Sequence, residues 1–335
     1  MGLFCKVSAV LIMLFVGFCF VFLTGCPPKI DEPPYPKSET GPPVQPVAGE
    51  KGPVFQHTFS KVGKDAFPSL GVRGDILFYS STNITPYYQI FSKTLSGQTV
   101  TQVSQSTADD IFPRQSPDGS KIAFVSNRSG KFDIYIVNYP VGTEQPRLLM
   151  PGVKTEKIYP SWSNDGKRIV FSQRNPSSGM WELAIFDLTD NSISYPREGI
   201  NALFPEWCPV AGSETIVFQR ASGKGRGVFS IWLVDSDGSN LIRLFESPDY
   251  GCVTPTWSPD GSKIAYATVA KSPTAWGKWS SGDNIWVIDR DGSNNRQVTF
   301  HSSEDWAPAF SRDGSRIVFL SNRGGNQNVW SIPID

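Results

Sequence analysis

Thr254-Pro255-Thr256-Trp257-Ser258-Pro259-Asp260-Gly261-Ser262-Lys263-Ile264-Ala265-Tyr266 sets an Asp-Gly turn between two short runs rich in aromatic and β-branched residues. This is the strongest short-range signal for a β-hairpin, because Asp and Gly tolerate the positive φ angles that a tight turn requires. A single hairpin cannot bury a core. This one recurs. Phe112 to Phe124, Tyr159 to Phe171 and Ala307 to Phe319 repeat the pattern. Degraded copies start at Phe67-Pro68, with Ile76-Leu77-Phe78 as the second run, and at Phe204-Pro205, with Ile216-Val217-Phe218. The six prolines 68, 113, 160, 205, 255 and 308 are 45, 47, 45, 50 and 53 residues apart. A period of about 40–45 residues with several strands per unit belongs to a β-propeller.

Two further strands complete each unit. Asp133-Ile134-Tyr135-Ile136-Val137, Ser230 to Asp235, Asn284 to Asp289 and Asn328 to Ile332 read as third strands. Leu241 to Phe245 and Arg296 to Phe300 read as fourth strands, each following a second turn, Asp237-Gly238 or Asp291-Gly292. The fold class is therefore all-β, a six-bladed propeller over residues 54–335 with four antiparallel strands per blade. Blades start near 65, 110, 157, 202, 252 and 305. The sixth unit stops after its third strand. Gln56-His57-Thr58-Phe59-Ser60 stands to Pro68 as Gln297 to Phe300 stands to Pro308, so the N-terminal segment is expected to close the ring.

The repeat Pro-x-(Trp/Phe)-Ser-x-Asp-Gly-x-(Lys/Arg)-Ile-(Ala/Val)-(Phe/Tyr) resembles the TolB-type, WD40-like propeller repeat, and the resemblance covers residues 54–335. It is also similar to the propellers of prolyl-oligopeptidase-type peptidases and oligogalacturonate lyases. TolB carries an α/β domain ahead of its propeller, for which residues 1–53 leave no room, so the expectation is a TolB-like chain and not TolB itself. The resemblance implies envelope partners, such as peptidoglycan-associated lipoproteins or energy-transducing proteins.

Residues 1–25 read as a signal peptide. Lys6 is followed by the apolar run Val7 to Leu23, and Leu23-Thr24-Gly25-Cys26 resembles the bacterial lipobox, which makes Cys26 the expected lipidation site. The alternative is an uncleaved membrane helix. Residues 26–53 read as a lipidated Cys and a Pro-rich linker, with paired prolines at 27–28, 33–34 and 42–43. Either way, the propeller is expected outside the cytoplasm, held to a bacterial membrane on the periplasmic side or at the cell surface.

Of five cysteines, Cys208 and Cys252 fall in the propeller, offset by about 20 Å along equivalent inner strands and beyond disulfide reach. With only two histidines, no zinc spacing exists. Lys plus Arg equals Asp plus Glu at 31 each, so the basic excess of a nucleic-acid binder is missing. An apolar fraction of 39% with 22 Phe, 10 Trp and 10 Tyr suffices for a core, to which Trp162, Trp207, Trp257 and Phe310 are assigned.

No Gly-x-Ser-x-Gly elbow or acid–base pair marks a catalytic centre, and the expectation is a monomeric, non-catalytic binding module. The Asp-Gly turns share one face of short, similar turns, which reads as structural. Variable loops on the other face read as the binding side. There, Asp65, Asp110 and Asp305 lie three residues before the prolines of adjacent blades one, two and six, helped by Asp109 and Glu304. They form either an acidic channel mouth for a cation or a basic peptide, or caps of their own turns. Trp276, Trp279, Lys278 and Lys271 in the blade-five loop, with Lys224 and Arg226 in blade four and Arg174 in blade three, form the candidate partner patch. No cofactor is expected beyond a possible Ca²⁺. A carbohydrate-binding or oligosaccharide-cleaving propeller and a calcium-stabilised scaffold are the alternatives.

Overall fold

The computed structural model describes residues 44–221, 229–270 and 283–334. Six four-stranded antiparallel sheets form six blades, each ordered from an inner to an outer strand in sequence order, with one exception. In blade six the strands Asp305–Phe310, Arg316–Ser321 and Asn328–Pro333 take their outer partner from the other end of the chain. Phe55 pairs with Ser331 and Gln56 with Trp330, so the N-terminal strand closes the ring. Pairing continues past this short strand. The His57 amide donates to the Val329 carbonyl at 2.8 Å, and the Val329 amide donates to Thr58 Oγ1 at 2.8 Å.

Each second strand is a nearly continuous buried run, because both faces of its sheet are covered by neighbouring blades. Trp162, Trp207, Trp257 and Phe310 pack in these inter-blade layers, all nearly inaccessible. The indole N–H groups of Trp162 and Trp257 donate to the backbone carbonyls of Arg114 and Glu206 in the preceding blades. Cys208 and Cys252 are buried.

Two local expectations change. The Asp-Gly motif does not form a two-residue turn. Ser116, Ser163, Ser258 and Ser311 pair by N–H donation to the carbonyls of Lys121, Arg168, Lys263 and Arg316, which leaves four-residue loops. Only the glycines of these loops take positive φ, from 65° to 77° at Gly119, Gly166, Gly261 and Gly314. The aspartates serve differently: the carboxylates of Asp118, Asp165, Asp260 and Asp313 accept the hydroxyl two residues before them and the amide two residues after. These bonds hold the Asp260 carboxyl down at about 2. The second change is at the N-terminal boundary. Residues 44–53, assigned above to the linker, lie on the ring: Val44 bridges Val54, and buried Glu50 pairs with Arg323.

Candidate functional site in the central channel

Every inner strand carries the same irregularity. Between Ala66 and Ser69, Ile111 and Arg114, Ile158 and Ser161, Leu203 and Glu206, Val253 and Thr256, and Trp306 and Ala309, two residues oppose one on the second strand. The first bulged residue is left-handed in all six blades, although none is glycine: φ is 50° at Phe67, 56° at Phe112, 59° at Tyr159, 51° at Phe204, 50° at Thr254 and 51° at Ala307. Each precedes a proline, which ordinarily favours extended backbone. The residue opposite each bulge is a buried aromatic: Tyr79, Phe124, Phe171, Phe218, Tyr266 or Phe319. In blade one the true counterpart of Ile122-Ala123-Phe124 is thus Leu77-Phe78-Tyr79, one residue later than the sequence alignment placed it.

The bulges line the channel. On one side, the rings of Phe67, Phe112, Tyr159 and Phe204 fill the axis, with centroids 3.8 Å, 4.5 Å and 3.7 Å apart in that order. Only about 30 Å³ of space remains among them, room for one or two water molecules. Burial pushes the Tyr159 phenol up from its ordinary value. Toward the Asp-Gly turns the channel widens into a cavity of about 550 Å³, whose rim includes the exposed Pro209 and Arg312. The face read as structural in the sequence therefore holds the cavity.

Six equivalent positions, one after each proline, form the waist between plug and cavity: Ser69, Arg114, Ser161, Glu206, Thr256 and Ala309. Four are small. Ser69 Oγ donates to the Pro113 carbonyl at 2.7 Å, and Ser161 Oγ accepts the Trp207 amide at 3.0 Å. Glu206 Oε1 accepts both the Thr256 hydroxyl and the Trp257 amide at 2.9 Å. Arg114 donates to the Pro113 carbonyl at 3.1 Å. Burial lowers the Arg114 pKa and raises that of Glu206, and in each case the other's opposite charge opposes the shift. Arginine stays cationic under such pressure. The sequence reading passed over both residues, although the aligned repeats set them beside Ser, Thr and Ala at the same position.

The three aspartates do not make an open acidic mouth. Asp65, Asp110 and Asp305 are fully buried, and none lines the cavity. Both oxygens of Asp110 accept from Arg128 Nη2 at 2.9 Å, and Asp305 accepts from Arg323 at 2.7 Å. These arginines come eighteen residues after their aspartates, from the end of the second strand, and they cancel the charge. Asp109 and Glu304 sit in the same inter-blade turns, their amides held by Asn127 and Asn322. In blade one the position of the arginine is Asn83, whose Nδ2 lies 3.4 Å from Asp65 Oδ1, and Oδ2 has no hydrogen-bond partner. Burial pushes the Asp65 carboxyl up to about 6, against the hydroxyls of Thr58, Ser81 and Ser60. Among the described residues no group of three His, Cys, Asp or Glu side chains could hold a metal ion. Arg174 is exposed and pairs with Glu156 at 2.9 Å. Cys26, Lys224, Arg226, Lys271, Trp276, Lys278 and Trp279 lie outside the described residues.

Residues 74–245 match the family model described as the TolB beta propeller domain, half of the chain. The chain belongs to that family. A protein TolB homolog of Chlorobium luteolum is 30% identical over 186 residues, 53% of this chain and 40% of the homolog. A Tol-Pal system protein TolB of Francisella tularensis is 28% identical over 142 residues, 41% of this chain and 31% of that protein. The TolB-family chain thus spans less than half the length of these curated relatives. Among solved structures, one named for TolB of Agrobacterium tumefaciens aligns with a TM-score of 0.60 at 20% identity, covering 81% of this chain and 90% of the other. An oligogalacturonate lyase in complex with manganese aligns with a TM-score of 0.59 at 15% identity, covering 88% and 96%. At these identities the TolB and lyase structures share the propeller fold and nothing more is carried over.

Proposed function

We propose that this TolB-family propeller is a non-catalytic binding module for a protein or peptide of the bacterial envelope, held to a membrane through a lipid on Cys26. The observation that carries the reading is the cavity of about 550 Å³ on the Asp-Gly face. It falls within the 300–1,000 Å³ of common ligand sites, is lined by Trp162, Trp207 and Trp257, and ends on an unlike charge pair. A concave site with a few fixed polar groups is the usual form of such a pocket. Membership of the TolB family and the Tol-Pal name of its relatives support an envelope setting. Neither His57 nor His301 lines this cavity, so a histidine-based reaction has no base there. His57 is held between the Leu95 carbonyl and the Ser331 hydroxyl.

A photo-cross-linking residue at Asn164, on the cavity rim, tests the reading against the same residue at Val62, fully exposed in the loop that precedes blade one. In envelope membranes, a discrete adduct from position 164 and none from 62 is the expected result. Adducts from 62 alone would move the site to the other face. Turnover of acidic oligosaccharides by the purified chain would overturn the non-catalytic assignment. Cys26→Ser is expected to shift the chain from the membrane to the soluble fraction.

A further inference from the structure

Among the described residues the channel narrows to about 30 Å³ at its aromatic end. Access from the Asp-Gly face leads past the rim to the waist and stops at the stacked rings of Phe67, Phe112, Tyr159 and Phe204. A loop tip or a chain end that enters from this face stops at the rings, and of the two only a chain end brings a free carboxylate. At the waist the backbone and hydroxyl groups are consumed by blade-to-blade bonds, namely Ser69 to Pro113, Trp162 to Arg114, Ser161 to Trp207 and Glu206 to Thr256 and Trp257. Arg114 differs. Its guanidinium offers five N–H donors, and its hydrogen bond to a protein group goes to the adjacent Pro113 carbonyl. No carboxylate of the described residues lies within ion-pair distance of it. Glu206 supports its charge from two blades away without reaching it.

We propose that Arg114 receives the free C-terminal carboxylate of a peptide inserted from the Asp-Gly face. A guanidinium fork in a low-dielectric cavity matches a carboxylate with two parallel charge-assisted bonds. Glu206 fixes the direction. It is held by the Thr256 hydroxyl and the Trp257 amide, so its negative charge repels the terminal carboxylate toward blade two and attracts the peptide's N–H groups toward blade four. Leu70 and Phe310 supply apolar wall above the waist for the last side chains. This assignment rests on the peptide-binding reading above and names the chemistry its deepest subsite selects.

The test uses the purified full chain and three probes: N-acetyl-trialanine with a free carboxylate, its C-terminal amide, and the amidated peptide acetyl-Ala-Glu-Ala. Binding is read by intrinsic tryptophan fluorescence and by calorimetry. The free acid is expected to bind at least about tenfold tighter than the amide, the worth of a charge-assisted bond. Arg114→Gln is expected to abolish that difference, and Arg114→Lys to keep part of it, with melting temperatures recorded to show that both variants fold. Equal binding of acid and amide, or a preference that survives Arg114→Gln, overturns the proposal. Equal binding of the free acid and the Glu side-chain peptide overturns the terminus and leaves a general carboxylate site. Failure of all three probes while the position-164 adduct persists sinks this inference and spares the binding-module reading.

Discussion

At the scale of single residues, Asp65 is the irregular member of a repeated device. Blades two and six bury an aspartate against an arginine, whereas blade one buries the same aspartate beside Asn83. A carboxyl raised from 3.8 to about 6 in the folded chain binds its proton more tightly folded than unfolded. Its contribution to stability is therefore complete below the unfolded value and is lost as pH rises through about 6. Asp65→Asn should be more stable than wild type at pH 7.5, by up to roughly 3 kcal/mol, with the gain shrinking toward pH 4. Urea denaturation at both pH values checks this, and a gain independent of pH would exclude ionisation as its cause. Asn83→Arg should supply the counter-charge of the sister blades and remove most of the loss above pH 6 without touching Asp65. His57 slopes the other way. Burial lowers its pKa from 6.5 to about 4, so the stability it protects is present above 6.5 and falls as pH drops through about 4.

At the scale of elements, the hairpins were legible and their geometry was not. Asp-Gly flanked by β-branched and aromatic runs located the inner and second strands of four blades, because that chemistry is local. The spaced prolines located the other two, with the second strand of blade one a residue early. The four-residue loop was hidden, since Ser-x-Asp-Gly reads equally well as a tighter turn until the serine amide is seen paired across it. The left-handed residue before each proline was hidden for a stronger reason. Local sterics argue against it, and only the pressure of six blades meeting at one axis over-determines it. The site was hidden for a like reason: Arg114 and Glu206 are ordinary surface residue types whose significance appears once six equivalent positions converge. Neighbouring blades also decide how much each turn tolerates. A Cβ on Gly261 would stand 2.7 Å from Val210 Cγ2 and 3.0 Å from Cys208 Sγ, while one on Gly314 meets only Pro259 Cδ at 3.9 Å. Both glycines are left-handed, so each alanine substitution should cost about 1–2 kcal/mol in backbone strain. Gly261→Ala should cost clearly more than Gly314→Ala by urea midpoint, and equal costs would mean that blade four yields to the new methyl.

At the scale of the whole molecule, the two ends of the chain meet in one seam. The chain enters the ring at blade six, where Phe55–Gln56 covers the edge of Asn328–Pro333 and Val54 is wholly buried. Arg323 joins the seam from inside. It bonds Asp305 at 2.7 Å and Glu50 at 3.4 Å, all three nearly inaccessible, so the segment that precedes Phe55 is fastened to the inner strand of the last blade. At the far end of that strand's sheet, Arg296 Nη2 holds the Ile334 carbonyl at 2.6 Å. Closure covers the long third strand of blade six, whose unpaired edge would otherwise be a template for a second copy. Removing residues 54–61 should therefore replace the single cooperative thermal transition with a broad one and produce edge-paired oligomers, seen by light scattering. Arg323→Met separates the two contributions. It leaves the strand pairing intact but strands Asp305 and Glu50 as buried charges, a loss of about 3–5 kcal/mol. If the deletion melts as sharply as wild type and stays monomeric, the ring is held by inter-blade packing alone. If Arg323→Met loses as much cooperativity as the deletion, the clasp is the ion pair and the outer strand merely rests on it.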